Sequence, residues 1–115
     1  MHLEMMRTYP VAAPDAFEYM RRFKLWPKWA GLHQIRSKGS KWEKKGDVVH
    51  FVYQPFVPVA FAGEMELLEL KKDKLVKGLF RMPGIDEATM AWMFAPAGDK
   101  AFTLKIVLDT PELDT

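Results

Sequence analysis

No cysteine occurs among the 115 residues, which removes disulfides, thiolate metal sites and a nucleophilic thiol together and leaves packing as the source of stability. Histidine is nearly as scarce. His2, His33 and His50 stand far apart, and Asp47 near His50 completes no metal-ligand spacing, so no metal site is expected. No apolar run approaches the roughly 18 to 20 residues of a spanning helix. Met1-His2-Leu3-Glu4 begins nothing like a secretory leader, so the expected compartment is the cytoplasm. A Gly-rich phosphate loop, a nucleophile elbow and a dinucleotide fingerprint are all absent, and no cofactor is implied.

What is present is a foldable chain. It is 49% hydrophobic, 13% aromatic and 28% charged, too apolar for a disordered segment and of a length for one domain spanning residues 1–115. The net charge is only +2, yet residues 21–45 hold nine Lys and Arg side chains against Glu43 alone. That segment is a candidate surface for an anionic partner, above all a membrane headgroup layer, although lysine-rich stretches are commonly just solvated.

The pattern along the chain predicts a strand, two short helices and then strands to the end. Leu3 to Tyr9 reads as a strand closed by Pro10, which cannot donate to a ladder. Pro14 suits the first turn of a helix because its missing N–H needs no partner there, and Phe17 and Met20 recur at helical spacing. Pro27 separates this helix from a second short turn over Trp26 to Ala30. Beyond it the period becomes two, predicting strands near 32–39, 47–54, 60–70, 74–82, 87–95 and 101–109. Phe102, Leu104, Ile106 and Leu108 alternate with more polar neighbours, and the phase slips at Leu68-Glu69-Leu70, which predicts a bulge.

Consecutive strands with tight connections make an antiparallel meander, so the fold class is α+β with a curved sheet of about seven strands. Hairpins alternate ends. The connections at 54–59 and 82–87, the approach to strand two and the exit after Asp109 therefore share one rim. Pro55, Phe56, Val57, Pro58, Met82, Pro83 and Ile85 make that rim apolar where loops are usually polar.

Three segments carry a resemblance: Val11-Ala12-Ala13-Pro14-Asp15-Ala16-Phe17, Leu25-Trp26-Pro27-Lys28-Trp29, and Ala91-Trp92-Met93-Phe94-Ala95-Pro96 followed by Gly98-Asp99. With this order of elements the chain resembles the START-related (SRPBCC) polyketide cyclase/dehydrase and lipid-transport superfamily over about residues 3 to 109. The resemblance implies a helix-grip fold, in which a curved sheet wraps a long C-terminal helix around a cavity for a hydrophobic ligand. Here Thr110 to Thr115 are too few to supply that helix, so it is expected to be missing. The concave face would then need another cover: a second copy of the chain, a different protein, a bound lipid, or a native segment missing from this sequence. Leaving one large apolar side chain exposed forgoes roughly 1.5–3 kcal/mol. Self-association is the favoured cover.

The expected ligand-binding residues are those phased inward, namely Phe51, Tyr53, Met65, Leu67, Phe80, Met90, Trp92, Phe94 and Leu104, with Phe56 and Ile85 controlling access from the rim. Val49 and Ile106 share that face. Trp26 and Trp29 read as wedges between helices and sheet. Chemistry is thinly supplied. His50 and Tyr53 are three apart in a strand and face opposite ways, Glu64 and Glu66 lie on the outer face, and Tyr53 is the one weak catalytic candidate, able to polarise a carbonyl. Trp42 among Lys38, Lys41, Lys44 and Lys45 is the only nucleic-acid-like mixture, and nucleic acid is not the expected partner. The sequence points first to binding or transport of a lipid, quinone or polyketide-like ring. Its alternatives are a cyclase-like enzyme and an interaction module that clasps a partner's helix.

Overall fold

The structure is a computed structural model that describes residues 1–30 and 32–110, with the side chains of residues 55, 56, 85 and 86 outside that description. Strand β1 (His2–Tyr9) leads into helix α1 (Ala13–Met20), a 3-10 turn (Phe23–Leu25) and the short helix α2 (Trp26–Trp29). Six strands follow: β2 (Gln34–Ile35), β3 (Val48–Phe56), β4 (Val59–Lys71), β5 (Leu75–Met82), β6 (Ile85–Pro96) and β7 (Phe102–Asp109). They form one antiparallel sheet in the order β1-β7-β6-β5-β4-β3-β2, the predicted meander with the first strand added beside the last. Among the described residues β7 is the final element; residues 111–115, on which the missing C-terminal helix was read, lie outside them. No helix of the described residues is long and apolar enough to cross a membrane.

The inward phase follows the predicted alternation. Val49, Phe51, Met65, Leu67, Val76, Trp92, Phe94 and Leu104 are buried, and the register shift between Leu67 and Glu69 is the predicted bulge. By inserting one residue it returns Leu70 to the core side, where Leu70 packs against the buried cluster. On the other side Arg81 reaches Glu64 at 3.6 Å and Glu66 at 3.7 Å, so the two carboxylates are outer-face ion-pair partners.

Two expectations need correction. The strand expected over 32–39 shrinks to Gln34–Ile35 because Ser37 substitutes its side chain for the ladder, its Oγ accepting from the His50 N–H at 2.7 Å. Gly39, at φ +92°, then turns the chain toward the helices. The second concerns Trp42, expected among surface lysines and instead fully buried. Its backbone N–H donates to the Arg21 carbonyl at 3.0 Å, and the Arg21 guanidinium donates to the Trp42 carbonyl at 3.0 Å. This reciprocal clamp draws the loop inward. Gly78 leaves the room, since a Cβ there would sit 3.1 Å from the Trp42 ring. Trp42 therefore offers no ring for stacking on a base.

The helical layer is short for physical reasons visible in its ends. Ala12 at the N-cap supplies no side-chain oxygen, and α1 stops at Met20, with Arg21 closing it. Ala13, Ala16, Phe17 and Met20 form its buried stripe, while Glu18 on the flank pairs with Arg21 at 2.8 Å and is thereby held below the usual carboxylate range. Pro27 sits in the first turn of α2, which runs only four residues. Two such helices cover only part of a seven-stranded sheet.

At the far edge, β1 is tied to β7 by a charged cluster. His2 bonds Asp109 and lies 3.3 Å from Glu4, whose carboxylate is 3.4 Å from Lys105. The Asp109 bond first, then Glu4, raises the His2 pKa above 6.5, and His2 with Lys105 lowers that of Glu4 below 4.5. A raised imidazole pKa means stabilisation present below the unfolded value and lost as pH rises through the folded one. Glu4 has the opposite sign, its contribution vanishing as pH falls through its depressed value. The β1 end is thus expected to be best held in mildly acidic solution. Amide exchange checks this: protection of Leu3 and Leu108 should exceed that in His2→Gln near about pH 5.5 and match it by about pH 9.

Candidate functional site

Between α2, the segment that follows it and the sheet lies a cavity of about 350 Å³. Trp26, Trp29, Ala30 and Leu32 form its roof. Its floor comes from five strands: Phe51 and Tyr53 of β3, Met65 of β4, Phe80 and Met82 of β5, Met90 and Trp92 of β6, and Ile106 of β7. Among the described residues no charged side chain lines it. The roof is held by the indoles. Trp26 stands edge-on to Trp42 at 4.8 Å and to Trp92 at 6.0 Å, Trp29 meets Trp92 at 5.6 Å, and the Trp26 N–H donates to the Met20 carbonyl at 2.8 Å. On the floor, Phe51 and Phe80 stack at 5.6 Å, and the Trp92 N–H points to the Met90 sulfur at 3.1 Å. Two of the indole N–H groups are engaged in this way, and among the described lining residues Tyr53 carries the only hydroxyl.

The residues singled out from the sequence separate into groups. Phe51, Tyr53, Met65, Phe80, Met90 and Trp92 converge on the cavity. Leu67 does not: it is fully buried beside the Gly46–Asp47 turn, whose backbone exchanges hydrogen bonds with it. Phe94 packs edge-on against Phe17 at 5.7 Å and stacks on Phe102, filling the space beneath α1. Leu104 lines an adjoining groove. The backbones of Phe56 and Ile85 end β3 and begin β6 at one rim, but their side chains lie outside the described residues. Trp29, Ala30 and Leu32 were missed as lining residues, because a roof is made by where α2 docks and no periodicity records that. Trp26 and Trp29 are wedges and cavity walls at once.

The adjoining groove, about 770 Å³, shares Trp29 and Ile106 with the cavity and runs between α1 and the β1–β7 edge past Tyr9, Val11, Tyr19, Phe102 and Leu104. Tyr19, Val11 and Trp29 are exposed along it. The concave face is therefore open on this side among the described residues. On the outer face His50 pairs across from Glu64, while Tyr53 pairs across from Phe61 and points into the cavity, so the imidazole and phenol are separated by the sheet. The groups with displaced pKa, namely His2, Glu4 and Glu18, lie at the β1 edge and on α1.

A curved antiparallel sheet with short helices packed on its concave face is an α+β fold of the helix-grip type, and solved structures share it. A protein of Chromobacterium violaceum superimposes with TM-score 0.81 at 14% identity, over 97% of this chain and 80% of that one. A START superfamily protein from Mycobacterium smegmatis matches with TM-score 0.80 at 8% identity, over 99% of this chain and 79% of its own. Norcoclaurine synthase from Thalictrum flavum, solved with dopamine and hydroxybenzaldehyde, matches with TM-score 0.70 at 11% identity, over 96% and 68%. No family model matches the sequence, and neither does any curated protein. At these identities the likeness is one of fold.

The geometry sets which cavity residues can be probed cleanly. Trp92 is 6% exposed and touches three other indoles, so Trp92→Ala is expected to cost about 3–5 kcal/mol of stability and is a poor binding probe. Tyr53→Phe removes only a hydroxyl that makes no hydrogen bond among the described residues and should stay within about 0.5 kcal/mol of the parent. Urea unfolding followed by tryptophan fluorescence measures both.

Proposed function

We propose that this protein binds a small hydrophobic molecule, such as a lipid, quinone or polyketide-like ring, in the cavity under α2. One observation carries the reading: the described residues wall the hollow with aromatic, methionine and aliphatic side chains, with one hydroxyl and no charge among them. Such a wall favours a ligand through apolar burial and adapts to its shape through thioethers. Its volume, about 350 Å³, suits a single ring system, and the adjoining groove extends the space for a tail. The aromatic ligands of norcoclaurine synthase, which has the same fold, are in keeping with this size. Carriage or sensing is preferred over turnover because general acid–base chemistry needs a second group near Tyr53, and among the described lining residues there is none.

Organic extraction of the purified protein with mass spectrometry of the extract is the first test, alongside titration with a hydrophobic fluorescent dye. Met82→Glu, which puts a carboxylate on the half-buried wall, should weaken dye binding by about tenfold or more, whereas Tyr53→Phe should change it by about twofold at most. A clean extract together with no dye binding would overturn the proposal.

The exposed cations Arg22, Lys28, Arg36, Lys38, Lys44 and Lys45 support a second part of the reading, docking on an anionic lipid surface. Asp47 makes no ion pair with them among the described residues, its carboxylate accepting the Glu43 and Lys44 N–H groups of the loop. Arg21 is excluded from this set by its bonds to Glu18 and Trp42. Sedimentation with phosphatidylserine vesicles should exceed that with phosphatidylcholine vesicles, and the excess should disappear in high salt. Equal binding to both would remove the lipid-surface assignment. The exposed apolar surface further supports a second copy of the chain as protein partner, with the cytoplasm as the proposed compartment.

A further inference from the structure

Strand β1 is an edge of an unusual kind. It pairs with β7 over eight consecutive residues, His2↔Asp109 to Tyr9↔Phe102, without a register shift. Natural edges are generally blunted by shortness, proline, charged side chains (lysine above all) or a bulge. The opposite edge follows that rule, since β2 has two residues. Within β1 there is no proline, lysine or bulge; of its charged residues Glu4 pairs with His2 and Lys105 and Arg7 lies over the Tyr9 ring. Its methionines are exposed, Met5 at 68% and Met6 at 73%.

The hydrogen-bond phase is fixed by the pair at its start. Met1 donates to the Thr110 carbonyl at 2.7 Å and accepts from the Thr110 N–H at 2.8 Å. In an antiparallel ladder such pairs recur every second residue, so Leu3, Met5, Arg7 and Tyr9 face β7. The N–H and C=O groups of His2, Glu4, Met6 and Thr8 therefore point off the sheet. An extended strand matches four donors and four acceptors at that spacing.

We propose that the occupant is β1 of a second copy, paired antiparallel about a two-fold axis through Met5. The choice of partner rests on the self-association reading above; the place and register come from the strand itself. A two-fold perpendicular to the sheet keeps like faces together, which restricts the register to pairs whose numbers sum to an even value. The sum eight sets Glu4 against Glu4, and the sum twelve sets His2 against Pro10, which has no N–H. The sum ten avoids both. It joins His2 to Thr8 and Glu4 to Met6 of the other copy, uses all the free groups on each side, and places the most exposed apolar residues at the axis. Glu4 keeps its neutralising neighbours His2 and Lys105. The two concave faces then lie side by side, with the Leu3 and Met5 rows adjoining across the axis.

The cysteine-free chain makes the test direct. At the axis the two Met5 Cα atoms form a non-hydrogen-bonded pair about 4.5 Å apart, within reach of a disulfide. Met5→Cys should cross-link to itself under mild oxidation about tenfold faster or more than Val57→Cys, whose parent side chain is 81% exposed on the β3–β4 turn. Met6→Pro removes an N–H that faces outward, so it should keep the fold by circular dichroism. It should weaken the dimer seen by sedimentation by about tenfold or more through two lost bonds. Met6→Lys provides the same test if the proline variant misfolds. A wild-type chain that is monomeric at about 100 µM overturns both the pairing and the self-association reading. A dimer that persists in both Met6 variants, with Met5→Cys no faster than Val57→Cys, overturns the edge pairing alone.

Discussion

Everything in this fold leans on a cluster of indoles. Trp26, Trp42 and Trp92 meet at 4.8 to 6.3 Å, each from a different part of the chain: α2, the basic loop and β6. Their contact is what attaches two short helices to a large sheet. Aromatic pairs in such edge-on arrangements contribute about 0.5–1.5 kcal/mol each beyond their burial. The cluster also fixes the height of α2 above the strands, because a four-residue helix has too little surface to choose its own position. Below and beside it the sheet curves away, and the space left over is the cavity.

The same constraint explains why the site is apolar and why the concave face is open. A helix docked through indoles at one point cannot also cover the β1–β7 side, where Tyr9, Val11 and Tyr19 remain exposed. The neighbours of the same fold are longer, and this chain spans 80%, 79% and 68% of the three described. Ligand and second copy are thus proposals about one physical problem, apolar surface that the described elements leave uncovered, the ligand within the hollow and the second copy along β1. The lipid-surface proposal answers instead to the exposed cations of the basic segment.

Much of this was legible in the residue order. The alternation of Phe102, Leu104, Ile106 and Leu108 set the inner face of β7, and the phase slip at Leu68 marked a real bulge. Six cavity residues followed from parity alone, since a strand side chain has only two directions. Leu67 and Phe94 share that parity yet lie under the basic loop's turn and under α1, because parity assigns a face and says nothing about what sits above it. Trp42 was misplaced for a related reason. Lysines on both sides made its segment look solvated, and nothing local announces a clamp to Arg21 or the gap above Gly78, residues 21 and 36 positions away.

The sequence by itself determined the strand count, the meander, the inner and outer faces and the absence of thiol chemistry, because these depend on periodicity, turn residues and composition, which are local. Only the tertiary structure decided where the hollow lies, which indoles roof it and which inward residues are core instead, because those depend on how distant segments dock. The edge that β1 leaves unpaired among the described residues belongs to both: its proline- and lysine-free run is written in the residues, but which of its amides face outward is set by pairing with a strand about a hundred residues away.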